Sequence, residues 1–530
     1  MRVFGKVLFA SLLASIISLA FIVYGQVQQK PPVDKSDKKE SPASDKQPVR
    51  SPEILALVSD ARQTPPEFAA DALIRLAGSS KVTDPKWKQE LLEEAFHTAA
   101  SAKQPMRRIY VGGSIDTRTG YLDRSMILKM DQISLQTKAV KAMLAFNPKQ
   151  ARELFEQITL PKMPPLECEE TMLYDATDFY AVMTDIVNKS FDAEDRKANN
   201  NVFFVNKYIE KSQTLAELGP LAKMIGSLNL TKAQFENVLH SYTRSLDQIP
   251  TDNRSYGRFI AASEDYGQLP LLATESIKRG VSSWELLNAM RGLLIKQSSA
   301  KICADYSVVP PSFSGSNHVF KSDAQYSQKA VDDFNEKLRL SDSISNREVA
   351  SINPEDMKPA KVGGKPVYHA YWQSAKAKSL LMKIKALRFS PEGKPYSAED
   401  RQSIGWQTKL NDFMGDLNGW FLEDEETQED YFHQKCVLYL GLLELTPSGS
   451  VSDNTLASFL LFLSESKVRE DSPAEWMMHL HDVLIRTRDS GGKQNPKIWD
   501  SIGNSKDTVL SLYAGLQKEQ LISDLAPSAK

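Results

Sequence analysis

Residues 420–436, WFLEDEETQEDYFHQKC, set Glu423, Asp424, Glu425, Glu426, Glu429 and Asp430 ahead of His433 and Cys436. Carboxylates, an imidazole and a thiol in one short stretch are the parts of a metal site or an acid–base pair. Helical geometry argues otherwise. A helix starting near Glu425 and turning about 100° per residue puts Phe432, Cys436, Tyr439 and Leu443 on one apolar stripe. Glu426, Asp430, His433 and Glu444 then share the opposite face, which is expected to be wet. The leading acids suit the positive end of a helix. The step from Asp430 to His433 matches one half of a di-metal bundle site, which also needs facing glutamates on other helices.

Other clusters reduce in the same way. In EETMLYDATDFYAVMTDIV, Met172, Ala176, Phe179, Met183 and Ile186 form a stripe for burial, with Asp175, Asp178 and Asp185 opposite. His479 and His481 stand two apart in an apparent helix, about 200° apart in direction, so one ion cannot take both. His479 shares its face with Glu475 and Asp482. No HExxH zinc helix, phosphate loop or GxSxG nucleophile elbow is present. Cys168, Cys303 and Cys436 are far apart and form no CxxC pair. No catalytic residue, metal or cofactor is therefore assigned.

The elements that carry these residues are helices. PEFAADALIRLAGSS opens on Pro66 and closes at Gly78. DPKWKQELLEEAFHTAAS has Asp84 as cap and Pro85 in the first turn. Asn147-Pro148 separates two further helices, and Thr231 caps another. The same punctuation continues to residue 525, and only RIYVGGSIDTRTGYLD (108–123) has any strand character. The expected class is all-α: stacked antiparallel helix pairs in an α-solenoid-like superhelix.

Within this pattern ARELFEQITLP, Ala151 to Pro161, resembles the second helix of a tetratricopeptide-type repeat, the likeness extending over residues 135–161. Ala151 and Phe155 stand four apart with a proline after the helix; Ile158 occupies a position that the family fills with alanine. The resemblance implies a helical-repeat architecture and binding of protein or peptide.

The N-terminus reads as an address. Arg2 and Lys6 precede an uncharged apolar run from Val7 to Gly25, an export signal or a membrane anchor. Val23 and Gly25 are the small residues that signal cleavage needs, with Gln26 as the new terminus. Residues 26–52, rich in Lys, Asp, Ser and Pro, form a disordered linker. The organisation expected is 1–25 signal or anchor, 26–52 linker, 53–320 helical-repeat domain and 321–530 second helical domain. A net charge of −2 gives no general attraction for nucleic acid, and the membrane is reached only through residues 7–25.

An extracytoplasmic, non-catalytic helical-repeat protein binding a protein or envelope partner is the function expected. Long polar loops at 105–123, 306–323 and 352–369 supply candidate contacts: Arg107, Arg108, Tyr110, His318, Tyr368 and His369, chosen because arginine and aromatic residues dominate binding hot spots. The alternative is an extracytoplasmic helical-toroid enzyme acting on a glycan or peptide. It requires carboxylates, or a carboxylate with His318, His369 or His433, converging in a cleft with Trp372, Trp406 or Trp420.

Overall fold

The computed structural model describes residues 50–104, 107–108, 124–160, 172–173, 175–212, 214–250, 263–299, 307–308, 320–321, 361–362, 365–366, 372, 374–423, 426–446, 449–487, 500 and 502–522. Among the described residues the helices of eight residues or more are α1 (Pro52–Ala61), α2 (Pro66–Ala77), α3 (Pro85–Ala99), α4 (Gln132–Leu144), α5 (Pro148–Phe155) and α6 (Thr177–Lys189). Then come α7 (Asn200–Ile209), α8 (Leu215–Ser227), α9 (Lys232–Gln248), α10 (Ser263–Lys278) and α11 (Trp284–Ser299). The last six are α12 (Ala375–Arg388), α13 (Ile404–Asn418), α14 (Gln428–Leu445), α15 (Ser450–Glu465), α16 (Pro473–Thr487) and α17 (Thr508–Lys518). Extended pairing among the described residues is limited to three two-residue antiparallel ladders and one isolated bridge. The fold is all-α.

Local chemistry sets the helix starts. Asp84 accepts from the Lys86 N–H, Asn147 from Gln150, and Thr231 forms a capping box with Gln234. Each satisfies an N–H that a helix start would otherwise leave without a partner. Proline stands in the first turn of α1, α2, α3 and α5, where it removes no intrahelical bond. The helix expected from Glu425 starts instead at Gln428, because the Thr427 hydroxyl accepts from the Asp430 N–H.

From α2 onward the helices pack in two rows. Helices α2, α4, α6, α8 and α10 each touch the next in that series; α7, α9 and α11 do the same beside them. Phe155 of α5 bridges the rows: it stacks on Phe179 of α6 at 4.6 Å and meets Phe204 and Tyr208 of α7. The stripe expected on α6 is buried at Ala176, Phe179, Met183 and Ile186. Each such aromatic contributes about 2–3 kcal/mol by leaving water.

Helices α12 to α15 pack on one another, and α16 and α17 meet the early helices: α17 packs against α1 and α2, and Phe68 of α2 meets Trp476 of α16 and Tyr513 of α17 edge to face, at 5.5 and 6.2 Å. Buried Asp71 of α2 accepts the Tyr513 hydroxyl at 2.9 Å and pairs with Arg75 at 2.6 Å, while Arg75 donates to the Leu521 carbonyl. One hydrophobic core runs from Ile54 to Ile522, within a single unit that begins at Arg50. The boundary expected near residue 320 lies outside the described residues, as do the signal or anchor and the linker at 1–49. Among the described residues no helix is long and apolar enough to cross a membrane.

Candidate functional site

A cleft of about 320 Å³ opens where α2, α4 and α6 meet the start of α16. Met126, Ile127, Met130, Pro473 and Ala474 give it an apolar floor. Its charged lining is Glu67, Asp131, Asp175, Asp471 and Glu475 against Lys103 and Lys129. The carboxylates gather there because several helices begin at this end. Glu67 and Glu475 sit in the first turns of α2 and α16, Asp131 caps α4, and Asp175 precedes α6. Negative charge is favoured at each such terminus.

Most of this lining is already engaged. Asp131 accepts from the Ser134 N–H at 2.8 Å and from its hydroxyl at 2.7 Å. Burial pushes the Asp131 carboxyl up from its ordinary range against those bonds. Glu67 accepts from the Lys103 N–H at 2.9 Å, and the Lys103 ammonium donates to the Asp471 carbonyl at 2.8 Å. Lys129 is bonded to Asp178 and lies 3.7 Å from Asp175. Burial pulls Lys129 down, but those carboxylates outweigh it and raise it.

Behind the cleft lies a buried chain of three groups. Glu475 Oε2 is 2.6 Å from His433 Nε2, and His433 Nδ1 is 2.9 Å from His479 Nε2. A carboxylate accepts, so Nε2–H of His433 donates to Glu475, and the two rings share the next hydrogen bond between His433 Nδ1 and His479 Nε2. Burial, with His433 and Arg124 nearby, holds His479 well below the ordinary histidine value, so it is neutral. Only Glu475 of the three lines the cleft, and the rings fix it from the rear. Arg124 closes the neighbouring side by pairing with Asp482 at 3.2 Å; burial pushes the Asp482 carboxyl up despite that partner.

These positions correct the expected wet face of α14. His433 is fully buried there, and Asp430 is half-buried. Helix α14 is covered on several sides, by α12, α15 and, through His433, α16, so its buried residues include Gln434 and Lys435 as well as the expected Phe432, Cys436 and Tyr439. Leu443 of the expected stripe is half-buried. Glu94 and His97 on α3 repeat the carboxylate–histidine step, but Arg62 occupies Glu94 at 2.6 Å. Among the described residues no three His, Cys, Asp or Glu side chains are grouped to hold a metal ion.

Of the loop residues expected to bind, Arg107 and Arg108 pair through their backbone with Leu173 and Met172. Tyr110, His318, Tyr368 and His369, and the cleavage pair Gly25 and Gln26, lie outside the described residues. Trp406 and Trp420 are core residues: the Trp406 indole donates to the Leu387 carbonyl, and the Trp420 carbonyl accepts from Lys435. Trp372 packs against the same core, and none of the three lines the cleft. Sequence reasoning does not find Glu67, Asp131 or Lys129; each reads as a helix-start or surface charge until the helices converge.

Comparison with protein-family models, curated proteins and solved structures gives no match to this chain.

Proposed function

We propose that this chain is an exported, non-catalytic helical-repeat protein that binds a protein or cell-envelope partner. The observation that carries the reading is the pair of helix rows from α2 to α11, each helix buried against the next of its row. That is the packing logic of an α-solenoid, whose extended faces serve recognition. Phe203, Leu271, Ile277 and Trp284 remain exposed along the rows. The apolar run at residues 7–25 supports export.

The test is a pull-down of C-terminally tagged protein from membrane and soluble fractions of the native host, with the N-terminal peptide sequenced. A near-stoichiometric partner, with a chain starting at Gln26 or intact in the membrane fraction, is expected. A cytoplasmic chain without a partner overturns the reading.

One observation favours the enzyme as a second reading: Glu475, backed by His433, lines a cleft beside Glu67 and Asp131. Turnover of a glycan or peptide that Glu475→Gln abolishes would establish it; a screen that finds no turnover removes it.

A further inference from the structure

We propose that the cleft receives one alkylammonium or alkylguanidinium group, the side chain of a lysine or arginine on the bound partner. The proposal rests on the reading of the chain as a binding protein and assigns that binding a site. Three features converge on it.

The first is size. A volume of about 320 Å³ is at the small end of ligand pockets, which run from about 300 to 1,000 Å³. It suits one side chain rather than a length of peptide.

The second is the floor. Met126, Met130, Pro473 and Ala474 present apolar surface to an alkyl stem, and methionine adapts its shape to what it covers.

The third is hydrogen-bonding balance. The lining carries five carboxylates and two lysines. Both lysines are engaged, Lys129 by Asp178 and Asp175 and Lys103 by the Asp471 carbonyl. The helix-start N–H groups of Ser134 and Thr177 are taken by Asp131 and Asp175. A carboxylate accepts about four hydrogen bonds. Glu67 accepts one from Lys103, and Asp131 two from Ser134. Glu67 and Asp131 therefore keep acceptor positions in the cleft, and their complement is a ligand that brings N–H donors with positive charge. An anion would meet five carboxylates. Glu475, about nine-tenths buried and held from behind by His433, is placed before any ligand arrives, so binding does not have to order it.

The test uses the full chain and saturation-transfer NMR. The probes are n-butylammonium, n-butylguanidinium and the peptide acetyl-Ala-Lys-Ala-amide, with butyrate and n-butanol as controls. Both cations and the peptide are expected to show transfer, and the controls none. Glu475→Gln should weaken the cations at least five-fold. Because that change also removes a buried partner of His433, its melting curve is recorded, and Met126→Trp fills the cleft without touching the buried chain. Met126→Trp should abolish transfer. Equal binding of butyrate, or cation binding unchanged in both variants, overturns the proposal. Transfer to the free amines without transfer to the peptide overturns the assignment to a partner side chain. A partner captured equally by wild type and Met126→Trp overturns the cleft and leaves the binding reading standing. Specific peptide binding without a captured partner does the reverse.

Discussion

The imidazole rings of His433 and His479 meet nitrogen to nitrogen at 2.9 Å, and both are wholly buried. They come from helices α14 and α16, and the outer nitrogen of His433 fixes Glu475. Removing the middle ring leaves a buried carboxylate and a buried imidazole each short of a partner, and such losses are large. His433→Leu is expected to cost about 3 kcal/mol in a urea titration at neutral pH. A loss below about 1 kcal/mol would show that the chain does not hold these helices together.

Acid should act on the same chain through His479. Its folded-state value lies well below the unfolded one of about 6.5, so the unfolded chain binds the extra proton as pH falls. Its contribution is intact above about pH 6.5 and is lost as pH drops toward the folded value. Asp482 and Asp131, raised by burial, act in the opposite sense: their contributions are complete below about 3.8 and fade as pH rises through their folded values. The difference between wild type and His479→Gln isolates the histidine. Melting temperatures between pH 7.5 and 5 should fall less steeply in the variant; parallel curves would mean that His479 titrates normally.

Cys436 is buried and free, and burial raises its thiol well above the ordinary cysteine value. The thiolate is the reactive form. In a Cys168→Ser, Cys303→Ser background, iodoacetamide at pH 8 should leave the folded protein unmodified for hours and label it at once in urea. Rapid labelling of the native protein would contradict the burial of α14.

Tyr513 and Asp71 tie α17 to α2. Tyr513→Phe removes one hydrogen bond and is expected to cost about 1 kcal/mol. Asp71→Ala also leaves Arg75, and Lys138 4.0 Å away, without their acid, and should cost about 3–5 kcal/mol. The double variant should fall short of the sum by at least about 0.5 kcal/mol. Strict additivity would mean that the two groups do not interact.

Much of the fold was legible in local signals, because caps and periodicity act within one or two turns. Asp84, Asn147 and Thr231 mark helix starts, and the stripe through Phe179 and Met183 marks a buried face. His433 departs from the expected wet face because amphipathic spacing presumes one covered side, and α14 is covered on several. The cleft was not legible at all. Glu67, Asp131 and Glu475 are each ordinary helix-start acids, and their meeting depends on contacts between residues hundreds of positions apart. Lys435 is a similar case. Its ammonium lies near the rings of Tyr431 and Phe462 and donates to the Trp420 carbonyl, and burial lowers it to about 8. Nothing in the spacing of a lysine announces such an enclosure.

The contact of α17 with α1 and α2 has a consequence for synthesis. Helices α1 and α2 are synthesised long before α17 and wait for it. Asp71 and Tyr513 are separated by 442 residues, and closing a loop of that length costs about 5 kcal/mol of chain entropy beyond a constant. Until then Phe68 has neither of its aromatic neighbours, and a holding chaperone would find its target on α2. A premature stop shortly before residue 508 would not trim an end. It would remove a wall from the middle of the fold, and such truncations should be cleared from the cell as thoroughly as lesions in the core.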